Sequence, residues 1–510
     1  MILSKILVGI DGLKAMGNLE VEINNISQDS SNIGPNDMFV AIKGFKTDGH
    51  KFIPQAISKG AKAILINEEV AKEIVPLISN QNIAIITAPD TRIAVAKCAC
   101  NFFDNPSRSF KLIGITGTKG KTTTAFMIKS ILEKASIPTG LLGTIEVLSA
   151  GDKKITDSVR TTPDPITLQS YLAQMRDDGC QAVVMEVSSQ SLKLHRVDGC
   201  DFNYGVFTNL SEDHISKDEH PDLEDYFNSK LRLFSMCPTG FVNYDDLDGI
   251  RIPALAPNCN FKSYGIDNQA DYLAKDITIT NSYVDFKLRL NNKNERIKTN
   301  IPGRYSVYNS LAAIAVALEF GASVESILAG LENVRVKGRN ELIDNDLGLT
   351  VMIDFAHSPE SLKSILSAAK EYTRGKVICV FGCSGDRDTR KRPMMGEIAG
   401  SIADYTIIST TDPRSEDPNK IIEEVEAGMK KTQGQYEVCV DRAEADKKAV
   451  RMAKKNDIVI LCGRGHETMQ EINGVKSHFD EREVLQEVFA ELKANSDDMQ
   501  DDKKDNEEQQ

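Results

Sequence analysis

The stretch "GITGTKGKTTTAFMI", residues 114–128, decides how the chain folds. It carries the G-K-T triplet of a phosphate-binding loop, yet the usual G-x-x-x-x-G-K-[ST] spacing needs a glycine where Ile115 stands. The glycines fall instead at Gly114, Gly117 and Gly120. The flanks restore the reading. "KLIGIT" is the apolar run of a buried strand, and "KTTTAFMIKSILEKA" has the composition and spacing of a helix. Strand, glycine loop and helix form the context a phosphate site requires. Backbone amides from Gly117 to Thr122 can wrap a triphosphate with the helix N-terminus behind them. Lys121 reaches the β and γ phosphates, and Thr122 ligates Mg²⁺. The expectation is that Gly117, Thr118, Lys119, Gly120, Lys121, Thr122 and Thr123 hold ATP or GTP. The bland alternative, a glycine-rich turn without a ligand, does not account for the strand and the G-K-T triplet together.

Beyond the loop, "QAVVMEVS" and "YGVFTNL" read as further strands of the same sheet. Glu186 closes the first at its carboxyl end, where such sheets bind ligands, and is a candidate Mg²⁺ ligand rather than a solvated strand-end glutamate. "TNLSEDHISKDEH" follows the second, with Asp213 and His214 able to serve a metal or orient a phosphate. Lys230 falls on the amphipathic "EDYFNSKLRLF" and by spacing alone is a surface lysine. Towards the N-terminus, "AKAILI" and "NIAIITAP" are strands around a helix, and a further helix ends near Asn105-Pro106 because proline cannot continue it. "YLAKDITITNSYVDFKLRL" alternates like antiparallel strands, and "VYNSLAAIAVALEFG" is a helix closed by Gly321. Beyond 334–339, "LTVMIDFA", "KVICVFGC", "DYTIIST" and "DIVILCGRG" are buried apolar strands alternating with helices, a parallel doubly wound pattern. The fold expected is α/β in three domains: 1–105, a central P-loop-type ATPase sheet over 106–335, and a C-terminal doubly wound, Rossmann-like sheet over 336–494, followed by an acidic disordered tail over 495–510.

The bulk properties agree with an ordinary soluble globular protein. The chain has 510 residues, 41% hydrophobic and 26% charged, and a formal net charge of -13. A polyanion would be repelled by that charge, so no nucleic-acid partner is expected. No apolar run of ~18 residues suggests a membrane span. The start, "MILSKILVGIDGLK", has no basic segment or cleavage site of a signal peptide. Ten cysteines without C-x-x-C pairing read as reduced thiols of a cytoplasmic protein.

The C-terminal strands end in "DFAHSPESL", "GCSGDRDTRKRP", "TTDPRSEDP" and "CGRGHET". Arg387, Lys391, Arg392 and Arg414 gather cations there, suited to carboxylate or phosphate. The odd glycine spacing has a parallel. "GTKGKTT" resembles the G-T-x-G-K-T loop of the Mur ligases, ATP-dependent amino-acid-adding enzymes of peptidoglycan precursor synthesis. "QDSSNIGPNDMFVAIKG", "TTPDP", "EVSSQSLKLHR", "TNLSEDH", "YNSLAAIA", "GRNE", "DFAHSP", "GCSGDRDTRKRPMM" and "GRGHE" recur in the family's order, so the likeness spans roughly residues 25 to 490.

The resemblance implies a function. "TTPDP" together with the loop around Arg414 is similar to the tripeptide synthetases, which add a diamino acid to UDP-MurNAc-L-Ala-D-Glu. It implies ATP and Mg²⁺, an acyl-phosphate intermediate, and a carbamoylated (N6-carboxylated) Lys230 that acts with Glu186 and His214 on the metal side. Catalysis then falls to Lys121, Lys230 and His214. Asn309, Arg339, Asp354 and His357 match nucleotide-contacting positions. Ser30, Thr161, Thr162, Ser188 and Arg196 match those that hold the sugar nucleotide, and Arg387, Arg414, Gly463 and Glu467 those around the incoming amino acid. A cytoplasmic monomer is expected. Departures are Gln190 where the family often has His, Leu194 where it has Gln, and a longer spacing before His220. In "TTDPR", Asp412 stands where diaminopimelate-adding members carry Asn. Its charge favours an ammonium such as lysine's, while Arg414 keeps the cation for a distal carboxylate. The amino acid stays open among L-lysine, meso-diaminopimelate and ornithine, with a slight lean to lysine. A folylpolyglutamate synthetase would share the loop but not the 27–44 segment, and a nucleotide switch would not need Lys230 or Arg414.

Overall fold

The computed structural model describes residues 1–507 except 46, 80–81, 159, 213–214 and 216–218, with side chains up to residue 495. The chain divides into two compact units, Met1–Leu273 with Tyr308–Gly330, and Ala274–Val307 with Leu331–Gln510.

The first unit contains two sheets. The smaller runs Lys14–Met16, Ala84–Ala88, Ala63–Asn67, Met38–Val40, Ile26–Ser27, parallel except for the first pair. Ala63–Ile66 are all buried, the continuous apolar run of a strand covered on both faces. The larger sheet is nine-stranded. Its heart is Thr239–Asn243, Phe202–Phe207, Lys111–Thr116, Ala182–Glu186 and Thr139–Leu142, all parallel. The loop strand Lys111–Thr116 is therefore flanked by the two strands whose carboxyl ends carry Glu186 and "TNLSEDH". Leu112, Ile113 and Ile115 are fully buried, and each such side chain contributes ~1.5–3 kcal/mol by leaving water. Gly114 is a packing glycine: a Cβ there would stand 2.8 Å from the Phe202 ring and 2.9 Å from Leu233.

The second unit holds a six-stranded sheet in the order Glu341–Leu342, Thr350–Asp354, Ile458–Cys462, Val377–Phe381, Tyr405–Ile408, Tyr436–Val438, parallel beyond its first strand. The four apolar runs read from sequence are its four central strands. The antiparallel strands Lys275–Ile279, Val284–Leu290 and Lys293–Thr299 pack in this unit. They are tied to it by Asn281 Nδ2 donating to Thr350 Oγ1 at 2.9 Å. A hairpin, Met469–Ile472 with Val475–His478, follows the last parallel strand. The final helix runs Glu481–Glu507, through most of the segment expected to be disordered. Among the described residues no helix is long and apolar enough to cross a membrane.

Candidate active site

Two glycines make the loop. Gly117 has φ +142° and Gly120 φ +85°, and a Cβ on either would strike Thr208 Oγ1 or Asn309 Oδ1. The spacing that fails the usual pattern is thus fixed by close backbone approach at both positions. The helix Lys121–Lys134 starts at Gly120 with no side-chain cap, which leaves its first amides available to an anion. The neighbouring strand end holds the loop in shape. Asn209 accepts from the Thr118 amide through its carbonyl at 2.9 Å and from the Lys119 amide through its side chain at 2.9 Å. Thr208 Oγ1 donates to the Lys119 carbonyl at 2.7 Å. Lys121 Nζ donates to the Gly117 and Thr118 carbonyls at 2.9 and 3.0 Å. Thr123 is buried behind the loop, and Asn309 Oδ1 accepts from Thr124 Oγ1 at 3.3 Å.

Glu186 is wholly buried at the end of its strand, so it is not a solvated carboxylate. It accepts from Thr122 Oγ1 at 3.0 Å, from the Thr144 amide at 2.8 Å and from Thr144 Oγ1 at 3.0 Å. The network continues: Thr144 Oγ1 meets Thr161 Oγ1 at 3.1 Å, and Thr162 Oγ1 donates to the Glu186 carbonyl at 2.9 Å. The Ser188 amide donates to Thr162 Oγ1 at 3.1 Å, and Arg196 Nη1 to the Thr162 carbonyl at 3.0 Å. Burial lowers the pKa of Arg196. Five positions assigned separately from sequence thus form one chain of hydrogen bonds with the loop. Ser30 sits elsewhere, in the turn Ser30–Asn32 beside the smaller sheet, with its hydroxyl donating to Gln55 Oε1 at 2.9 Å.

Lys230 is only 1% exposed, which corrects the surface lysine inferred from helical spacing. Its Nζ donates to the Gly117 carbonyl at 2.9 Å and lies 4.0 Å from the Tyr226 ring centre. The helix Leu223–Leu231 is started by Asp222, which accepts from the Asp225 amide. Asp213 and His214 lie outside the described residues. His220 is buried with both ring nitrogens engaged, Nδ1 with Asp225 Oδ2 at 2.6 Å and Nε2 with Ser189 Oγ at 3.0 Å. Burial lowers its pKa against the pull of Asp225. Among the described residues no group of three or more His, Cys, Asp and Glu could hold a metal ion. The oxygen pair Thr122–Glu186, at the start of the helix Lys121–Lys134, nonetheless suits a hard cation such as Mg²⁺.

In the second unit, Arg339 stacks its guanidinium 4.8 Å from the Phe355 ring centre. Asp354 accepts from the amides of Ala356 and Asn340, both at 2.8 Å. His357 is exposed, its Nδ1 3.0 Å from the Phe355 carbonyl. Gly463, at φ +107°, donates its amide to the Asp354 carbonyl at 3.0 Å. Arg387 is exposed in its loop. Arg392 is instead fully buried, bonded to Glu416 through both Nη atoms at 2.9 Å and to Glu424 at 3.0 Å. It is a brace for the loops, not a ligand cation.

Asp412 is paired through one of its oxygens. Its Oδ1 accepts from Arg464 Nη1 at 3.1 Å and from the Glu471 amide at 3.1 Å. Arg414 takes φ +53° with its amide bonded to the Glu471 carbonyl at 2.9 Å. Its side chain has no hydrogen-bond or ion-pair partner among the described residues. The Glu467 carboxyl is pushed up to about 7, first by burial and then by Asp412. The sequence reading had passed over Thr144, Thr208, Asn209, Tyr226 and Arg464. Asn209 had the plainest signal, as a polar side chain two places beyond an apolar strand at the sheet's ligand-binding edge.

Family models match in chain order: "Mur ligase family, catalytic domain" over residues 22–102, "Mur ligase middle domain" over 115–317, and "Mur ligase, glutamate ligase domain" over 338–465. A UDP-N-acetylmuramoyl-L-alanyl-D-glutamate–2,6-diaminopimelate ligase of Caldanaerobacter subterraneus subsp. tengcongensis is 43% identical over 476 residues, 93% of this chain and 96% of that one. The chain belongs to the Mur ligase family. This Mur ligase is also 41% identical to the ligase of the same name from Clostridioides difficile, over 96% of its length and 100% of the relative's. A solved diaminopimelate ligase of that name aligns with a TM-score of 0.69 at 25% identity, over 96% of this chain and 99% of that one. A MurF ligase of Thermotoga maritima, solved with ADP, shares the fold at 18% identity and a TM-score of 0.58, over 92% of this chain and 98% of that one. The chain is thus an ATP-dependent ligase of peptidoglycan synthesis that forms amide bonds, built as a three-domain α/β protein.

Proposed function

We propose that this Mur ligase adds meso-diaminopimelate to UDP-MurNAc-L-Ala-D-Glu in the cytoplasm, acting as a monomer. The observation that carries the amino acid is the loop around Arg414. The lean to lysine rested on a negative charge facing the amino acid, and Arg464 occupies the Asp412 oxygen that would have supplied it. What remains is the Arg414 guanidinium, without a hydrogen-bond or ion-pair partner among the described residues, and, close by, the Glu467 carboxyl. Those two match the distal carboxylate and ammonium of diaminopimelate, whereas lysine offers the ammonium alone. The two diaminopimelate ligases that the chain resembles at 43% and 41% identity point the same way.

In this reading the substrate carboxylate attacks the γ-phosphate of ATP, giving an acyl phosphate and ADP. The amine of the diamino acid then attacks the acyl carbon and phosphate leaves. Such a charged transfer is driven by positioning and cations more than by covalent chemistry. Lys121 turns from the loop carbonyls to the β and γ phosphates. Thr122, Glu186 and a carbamoylated Lys230, with His214, would hold Mg²⁺, which neutralises charge on the phosphates. Thr161, Thr162, Ser188, Arg196 and Ser30 bind the sugar nucleotide and its peptide. Asn309, Arg339, Asp354 and His357 contact the nucleotide, and Arg387, Gly463 and Glu467 line the amino-acid side.

The deciding experiment measures ADP release and product mass with UDP-MurNAc-L-Ala-D-Glu and lysine, meso-diaminopimelate or ornithine. Since a bond between charged groups contributes ~1.5–3 kcal/mol, diaminopimelate should lead lysine in kcat/KM by at least ~tenfold. A lead for lysine refutes the amino acid, and ADP release independent of both co-substrates refutes the ligase.

A pH dependence follows from Glu467. With its pKa raised to about 7, the carboxylate that meets the ammonium is present above that pH and lost below it. KM for the diamino acid should therefore climb as pH falls through 7, approaching ~tenfold per unit well below it. Glu467→Gln should bind weakly and flatten the curve. A wild-type KM constant between about pH 6 and 8 would remove Glu467 from the ammonium site.

A further inference from the structure

We propose that Arg464 is a specificity-determining positioning residue, which selects a zwitterionic side-chain end by drawing the Asp412 carboxylate away from Arg414. The inference rests on the amino-acid site described above. Arg464 has no exposed side-chain surface, and Asp412 is 13% exposed. One arm of the guanidinium holds Asp412 Oδ1; the other donates to the Met469 carbonyl at 2.8 Å. The Phe479 ring lies under it, 4.9 Å away. Arg464 therefore fixes the hairpin Met469–Ile472 and the loop 411–414 together. The hairpin in turn shapes that loop: Gln470 Nε2 donates to the Thr411 carbonyl at 2.6 Å, and the Glu471 carbonyl receives the Arg414 amide.

The charges explain the selection. Asp412, Arg464, Glu467 and Arg414 meet here; Glu481, which also acts on Glu467, is held by Arg442 at 2.6 Å, and Asp386, which feels Arg414, is held by Ser415 Oγ at 2.7 Å. Pairing within the first two closes their charges against each other. It leaves one carboxylate and one guanidinium, the complement of a group bearing both an ammonium and a carboxylate. Without Arg464, Asp412 becomes a second acid beside Glu467, and the same pocket turns net negative and suits a bare ammonium. A carboxylate where diaminopimelate-adding members carry an amide is thus answered by a buried arginine 52 positions further on.

The test compares kcat/KM for meso-diaminopimelate and lysine in the full-length chain, its R464M and R464K variants, and the R464M/D412N double variant. R464M should lower the diaminopimelate-to-lysine ratio at least ~tenfold, because an unpaired acid now faces the distal carboxylate. The double variant, with both charges gone, should return the ratio to within ~threefold of wild type. R464K keeps the cation but not the two-armed reach. It should shift the ratio in the same direction by a smaller factor, and it serves if R464M does not fold. A ratio unmoved in whichever of these folds overturns the proposal. So does a loss shared equally by both substrates and not repaired by D412N, the mark of a merely structural arginine. A wild-type enzyme that prefers lysine refutes the diaminopimelate reading itself, a separate result from the shift among variants.

Discussion

Lys121→Ala is expected to lower ligase turnover at least ~100-fold, the cost of removing one preorganised donor from developing charge. The side chain rests on the Gly117 and Thr118 carbonyls, within the glycine loop. Those bonds are local and half-buried, and the strand beneath is packed independently of them. The melting temperature should therefore stay within a few degrees of wild type, as for loss of ~1 kcal/mol. Steady-state turnover and a thermal melt on the same preparation make the comparison. Turnover near wild type with an unchanged melt would show that the phosphates lie elsewhere.

Lys230→Ala should be as damaging, for a different reason. In the proposed carbamoylated form the Lys230 amine would have taken up CO₂ and released a proton, giving an acid able to ligate Mg²⁺. Its loss should cost at least ~100-fold in turnover, again on the scale of removed charge stabilisation. The methylene stem is also buried, and its Nζ bonds the Gly117 carbonyl, so ~1–3 kcal/mol of stability should go with it. The two effects separate by rescue: formate or acetate should restore part of the activity to Lys230→Ala, because a small acid can enter the space the side chain left. Lys230→Met, which fills that space, should be equally inactive and not rescued. Turnover retained by either variant, or no rescue in a folded Lys230→Ala, would reduce Lys230 to an anchor of the loop.

The contrast between these lysines shows what a sequence makes legible. Lys121 is read from its immediate neighbours, since the glycines, triplet and helix are contiguous. Lys230 is not, because the carbonyl it bonds is 113 positions away, and helical spacing weighed it as solvent-exposed. Parallel strands were legible for the same local reason, as unbroken apolar runs. The Asp412–Arg464 pair was not: an acid in a loop declares its charge, but only the fold shows which cation takes it up. Arg392 was misjudged likewise, grouped with ligand cations when Glu416 and Glu424 engage it. The tail's polar residues offered no apolar face and were read as disorder, whereas the helix Glu481–Glu507 continues through them.

The contact of Gly117 with Thr208 and of Gly120 with Asn309 bears on drug resistance. A substitution at either glycine must displace Thr208 or Asn309 and also strain a backbone that side chains seldom adopt. An inhibitor whose contacts were confined to the loop backbone around Gly117 and Gly120 would therefore meet a surface that substitution at either glycine should not remodel without loss of activity. Selection under such a compound, followed by sequencing of survivors, should return changes in expression, uptake or peripheral residues. Functional alleles altered at Gly117 or Gly120 would contradict this.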